Sequence, residues 1–147
     1  MIANTLSPVI DIVLDTSVFI AALRSEGGAA REVLRRCLQG RYRPLFGNAL
    51  WLEYEDVLGR KILNAKANHA EREVLLAALA RAGHWVQVYY GWRPNLRDEG
   101  DNHLIELAIA GGAIAIVTHN VRDLRSGELN WPALHVLTPA KCLKELP

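Results

Sequence analysis

The 147-residue chain is poor in the residues that several common site chemistries need. It has two cysteines, Cys37 and Cys142, far apart, with no CxxC neighbour and in apolar surroundings. That argues against a disulfide framework and suits buried thiols in a reducing, cytoplasmic setting. The five histidines, His69, His84, His103, His119 and His135, form no HExxH and pair with no cysteine, so zinc is a poor fit. His103 and His119 are expected near the functional rim in supporting roles. Neither sign of charge dominates, since 17 Lys and Arg against 16 Asp and Glu leave a formal charge of +1. Such a balance neither advertises nor forbids a nucleic-acid partner, because a local basic groove can coexist with a neutral total.

Long apolar runs are also missing. Residues 107–117 form the longest uncharged one, too short for a bilayer and broken by Gly111-Gly112, so no membrane span is expected. The opening has no basic segment, and Asp11 and Asp15 interrupt its apolar run, which argues against a signal peptide. Repeats, low-complexity tracts and linkers are absent. A single domain over residues 1–147 follows, large enough to bury roughly two-thirds of its unfolded surface. With half its residues hydrophobic and about a fifth charged, the chain is ordinary for a globular protein.

What is present alternates between two periods. Residues 9–14 are β-branched and nearly continuous, the pattern of a strand covered on both faces, and a helix begins at once over 18–23. Ala30, Val33, Leu34, Cys37 and Leu38 recur at helical spacing. "YRPLFG" predicts a second strand, and Asn48 a cap for a helix with Leu50, Tyr54, Val57 and Leu58 on its inner side. Asn68 predicts the start of another helix, ended near Ala82 by Gly83. "HWVQVYY" predicts a third strand and residues 91–100 a loop. Leu104, Ile105, Ala108 and Ile109 predict a helix, and "AIAIVT" a buried strand. Residues 120–130 read as loop with one helical turn, "ALHVL" as a last strand, and "TPAKCLKEL" as a helix capped by Thr138 with Pro139 at its first position. Strands alternating with helices predict an α/β fold, three-layer α/β/α, with a mostly parallel central sheet.

In such a sheet, ligands gather outside the carboxyl ends of the strands. Asp15 ends the first strand. Thr118, Asn120 and Asp123 follow the "AIAIV" strand, Asp98 and Asp101 precede the helix that feeds it, and Glu53 lies on the helix after the second strand. Capping is an alternative for Asp98, Asp101 and Asp15, and solvation for Asp123 and Glu53. Helical periodicity does not choose between Glu53 and Glu55, which flank Tyr54 by about 100° on either side. If the acids do converge, two carboxylates ~4 Å apart at an effective dielectric near 20 repel by about 4 kcal/mol, or about three pKa units. A divalent cation reverses that sign, and an all-oxygen set suits Mg²⁺ or Mn²⁺.

These residues carry a resemblance. "VLDTSVFIAAL", "LWLEYEDVLGRKIL", "RDEGDNHLIELAIAGGAIAIVTHNVRDL" and "LHVLTPAKCLKEL" occur in the order found in the PIN domain family, in particular the toxin nucleases of bacterial and archaeal toxin–antitoxin systems. The resemblance covers essentially the whole chain and favours Glu53 over Glu55. It implies a Mg²⁺-dependent endoribonuclease that hydrolyses single-stranded or looped RNA and leaves a 5′-phosphate. Asp15, Asp98 and Asp101 would hold the metal. Glu53 and Asp123 would complete the catalytic set, and Ser17, Thr118 and Asn120 would support it. An antitoxin partner and a homodimer are implied as well. Ser17 stands where the family often has Asn, and Asn120 where it often has a fourth aspartate, so a second metal site is in question. Arg24, Arg31, Arg97 and Arg122, with Arg35 and Arg125, are candidates for phosphate contacts. Trp51, Trp85, Trp92 and Trp131 are candidates for interfaces or core. Asn120 also leaves open a non-catalytic PIN-like module that binds RNA or protein. A phosphoacceptor receiver domain would need an aspartate at the end of a middle strand, which neither "YRPLFG" nor "HWVQVYY" supplies.

Overall fold

The computed structural model describes residues 8–25, 27–60, 65–88, 102–128 and 131–147. Five strands, β1 (Ile10–Leu14), β2 (Tyr42–Phe46), β3 (His84–Trp85), β4 (Ala115–Val117) and β5 (His135–Leu137), form one sheet. Their order is β3-β2-β1-β4-β5, and every neighbouring pair is parallel. The connecting helices are α1 (Thr16–Arg24), α2 (Ala29–Leu38), α3 (Asn48–Leu58), α4 (His69–Ala82), α5 (Asn102–Gly111), α6 (Val121–Glu128) and α7 (Pro139–Glu145). Consecutive strand residues point to opposite faces, and Ile12, Val13 and Leu14 are all buried, so helices cover both sides of the sheet. This is the three-layer α/β/α arrangement with a parallel sheet.

The chain builds outward from β1 to β2 and β3, then crosses back to place β4 and β5 on the other side of β1. The order therefore reverses between β1 and β4, the position where open α/β sheets leave a crevice for a ligand. Leu14 is in register with Val117, and the Asp15 N–H donates to the Val117 carbonyl at 3.0 Å.

Local signals account for the starts of α4 and α7. Asn68 accepts from the Glu71 N–H at 2.9 Å while Glu71 Oε1 accepts from the Asn68 N–H at 3.3 Å, a reciprocal capping box. Thr138 accepts from the Lys141 N–H, and Pro139 opens α7. The thiols of Cys37 and Cys142 are free and buried; burial, then Cys142, pushes Cys37 up to about 12. No helix among the described residues is long and apolar enough to cross a membrane.

Three expectations need correction. Asn48 is the first helical residue of α3 and makes no cap; Gly47 holds the cap position, with no side-chain bond. Among the described residues the third strand is His84–Trp85, an edge paired with β2, and Val86 still donates to the Phe46 carbonyl at 2.7 Å; Tyr89 and Tyr90 of the expected run lie outside the described residues. Residues 121–128, expected as loop with one turn, form the eight-residue α6. Its composition is weakly helical, but Leu124 is fully buried, and tertiary packing decides the outcome. The loop expected over residues 91–100 lies outside the described residues.

Gly83 ends α4 against β2. A Cβ there would stand 2.4 Å from the Pro44 carbonyl oxygen and 3.0 Å from the Phe46 ring, so backbone must move to admit it. Gly83→Ala is expected to destabilise the protein by about 1–3 kcal/mol, read as a lower melting temperature. An unchanged melt would show that this junction relaxes at no cost.

Candidate active site at the carboxyl ends of β1 and β4

Asp15 leaves β1 in extended conformation and opens α1, its carbonyl accepting from the Val18 N–H at 3.0 Å. It occupies the cap position, yet its side chain makes no cap bond. Instead, its Oδ2 accepts from Ser17 Oγ at 2.8 Å and from Thr118 Oγ1 at 2.7 Å. The direction of both bonds is fixed from behind. Ser17 Oγ accepts from the His119 N–H at 3.2 Å, and Thr118 Oγ1 accepts from the Asn120 N–H at 2.9 Å. Each hydroxyl therefore has its own proton available for the carboxylate. Asp15 is only 6% exposed, and none of the ion pairs among the described residues involves it. A buried carboxylate of this kind is costly without charge compensation.

Tyr54 secures the strand end from below. Its hydroxyl donates to the Leu14 carbonyl at 2.7 Å, and its ring meets Phe19 and Phe46 edge to face. Burial, followed by the charge of Asp15, pushes the phenol well above its ordinary range, so it remains a donor. One residue earlier on α3, Glu53 Oε1 accepts from Thr16 Oγ1 at 3.4 Å, and Glu53 Oε2 pairs with His103 Nε2. Glu55 is exposed. Of the two glutamates that flank Tyr54, Glu53 is the one that meets α1 and α5.

A PIN domain sequence profile matches residues 11–122. The chain belongs to the PIN domain family. Its fold is similar to that of VapBC2 from Rickettsia felis, solved bound to a DNA fragment from their promoter. The two are 12% identical, the match covers 86% of this chain and 97% of that chain, and the TM-score is 0.55. At that identity the likeness concerns the fold alone. No curated protein sequence matches the chain significantly.

Within this PIN domain the remaining expected residues fall as follows. Asp98, Asp101, Arg97 and Trp92 lie outside the described residues. Asp123 is exposed in the first turn of α6, where its N–H donates to the Asn120 carbonyl at 3.2 Å. Asn120 reaches the site through its backbone N–H. Arg24, exposed at the end of α1, lines an open groove with Ser17, Ile20, Ala21 and His119 beside Asp15. Arg31 is half-buried, with an Nε that has no partner. Arg35 pairs with Glu32, and Arg122 and Arg125 are exposed on α6. Trp85 is exposed, whereas Trp51 and Trp131 are half-buried.

Sequence reasoning passed over three polar residues of α5 and α1. Asn102 is 3% exposed, and its Oδ1 is buried without a partner. Glu106 is 4% exposed and, with His103, Asn48, Gln87 and Trp85, lines a cavity of about 270 Å³. Thr16 holds Glu53. For Glu106 the signal was a carboxylate inside the apolar "LIELAIA" run, where any charge must be buried.

Whether a divalent ion suits this site is a question of donor chemistry. Asp15, Glu53 and the unsatisfied Asn102 Oδ1 are all hard oxygen donors, as Mg²⁺ and Mn²⁺ require, and neither cysteine is among them. Among the described residues no three His, Cys, Asp or Glu side chains stand close enough to hold a metal by themselves. The residues present therefore fit a hard dication as one part of its ligand set, with Asp98 and Asp101 the candidates for the rest.

Proposed function

We propose that this PIN domain is a divalent-metal-dependent endoribonuclease cutting single-stranded or looped RNA, and the toxin of a toxin–antitoxin pair. The observation that carries the reading is the buried Asp15 carboxylate at the reversal of strand order, clamped by two hydroxyls that donate to it and are themselves held by backbone N–H groups. A charge kept there at the cost of desolvation makes physical sense where a cation is to be received.

In this reading Asp15, with Asp98 and Asp101, holds Mg²⁺ or Mn²⁺. Such an ion, when bound, lowers the pKa of a coordinated water and offsets charge developing on the phosphate. Ser17 and Thr118 fix the orientation of Asp15. Glu53, held by Thr16 and paired with His103, orients the attacking water and accepts its proton in this reading, and Asp123 completes the catalytic set. Arg24 and Arg122 meet RNA phosphates. The groove beside Arg24 is where an antitoxin segment would block access, and a homodimer is the expected assembly.

Metal removal tests the reading. Purified protein is expected to cleave a mixed RNA pool with Mg²⁺ or Mn²⁺, to lose that activity in EDTA, and to regain it when the metal is added back, with 5′-phosphate on the products. Cleavage undiminished by EDTA would overturn metal dependence. A folded protein that binds RNA without cutting it would favour the non-catalytic module that Asn120 suggests.

A further inference from the structure

We infer that Asn102 is a ligand of the divalent ion, contributing a neutral oxygen through Oδ1; the inference rests on the metal-dependent reading above. Asn102 opens α5 and is 3% exposed, and its Oδ1 is buried without any hydrogen-bond partner. A side chain at the start of a helix would ordinarily be explained as a cap, with its oxygen accepting from an N–H of the first turn. Asn102 does not do this, since a cap bond would have satisfied the atom. An unsatisfied buried acceptor in a folded protein calls for a partner that is not a side chain or backbone group, and an ion is one such partner.

Its position is the right one. α5 ends at Gly111, and Gly112, at φ +68°, turns the chain directly into β4, so the ten-residue helix runs back over the sheet for about 15 Å. Its first residue accordingly lies over the end of the sheet where β1 and β4 terminate. α5 packs on both strands. The next residue, His103, pairs with Glu53, and Glu53 is held by Thr16, the neighbour of Asp15. Asn102 thus belongs to the same rim as Asp15.

The chemistry is also apt. Amide oxygens coordinate hard dications, and a neutral ligand adds a donor without adding to the repulsion among the carboxylates. The expected consequence is a site of moderate affinity that an extra carboxylate would tighten.

The test compares wild type, Asn102→Leu, Asn102→Asp and Asp15→Asn by calorimetric titration with Mn²⁺ and by metal-free thermal melts. Asn102→Leu, which replaces an unsatisfied acceptor by an apolar side chain of similar size, is expected to weaken Mn²⁺ binding at least about tenfold. Its metal-free melting temperature should equal or exceed that of wild type. Asn102→Asp should do the reverse, tightening Mn²⁺ binding and lowering the metal-free melt. A purely structural asparagine would not produce those opposed signs. Wild-type Mn²⁺ affinity in Asn102→Leu overturns the inference; should that variant not fold, unchanged affinity in Asn102→Asp overturns it equally. If Asp15→Asn abolishes Mn²⁺ binding while both Asn102 variants bind normally, only the role of Asn102 fails. Absence of Mn²⁺ binding by wild type would overturn the metal-dependent reading and the inference together.

Discussion

Asp15→Asn is expected to lower the turnover of RNA cleavage by about 10³-fold or more while the protein stays folded. The substitution conserves shape but removes the formal charge of Asp15. It leaves the local proton pattern around Oδ2 intact. Ser17 and Thr118 each present a proton to Oδ2, and each accepts a backbone N–H on its other side. An amide placed there can meet both donors with its oxygen and keep its orientation, but it then presents NH₂, a donor, where Asp15 presents Oδ1, an acceptor a cation could use. Stability should change little, since the lost charge-assisted bonds are offset by the relief of burying a carboxylate. Turnover on RNA in saturating Mg²⁺, alongside circular dichroism, reads both effects. A folded variant that cuts within tenfold of wild type would remove Asp15 from the centre of the chemistry.

Tyr54→Ala is expected to cost about 3–5 kcal/mol of folding stability, and Tyr54→Phe about 1–3 kcal/mol. The two changes separate the ring from the hydroxyl. The ring is fully buried, with Phe19 at 5.4 Å and Phe46 at 5.7 Å between centroids, so its loss leaves a cavity in the layer that joins α1 and α3 to the sheet. The hydroxyl donates to the Leu14 carbonyl, and its loss takes a donor from a buried acceptor one residue before Asp15. Denaturant unfolding of the three proteins measures the split. Equal losses in the two variants would mean that the hydroxyl carries the whole effect and that the aromatic packing adds nothing.

Much of this architecture was legible in the sequence because its signals are short in range. The box of Asn68 and Glu71 spans three residues, as does the Thr138 cap, and each names its helix end without reference to the rest of the chain. The continuous apolar runs of β1 and β4 announced strands buried on both faces. Where such signals were weak, the structure departed from them. α6 forms because Leu124 finds a place in the core, and Gly47 rather than Asn48 caps α3. Among the described residues β3 is the two-residue edge His84–Trp85.

The site divides along the same line. Composition and pattern alone predicted an α/β chain with oxygen-bearing residues at strand ends and argued against a zinc centre. They also marked Asp15 as an acid that burial would make costly. The tertiary structure decided that Thr118, 103 residues away, is the group that holds it, since only the strand order places β4 beside β1. It likewise brought Glu53 against Thr16 and His103 and exposed the unsatisfied oxygen of Asn102. The reason is physical: caps and periodicities are written within a helical turn, whereas the meeting of distant side chains depends on how whole elements bury their faces against one another, and no local pattern encodes that competition.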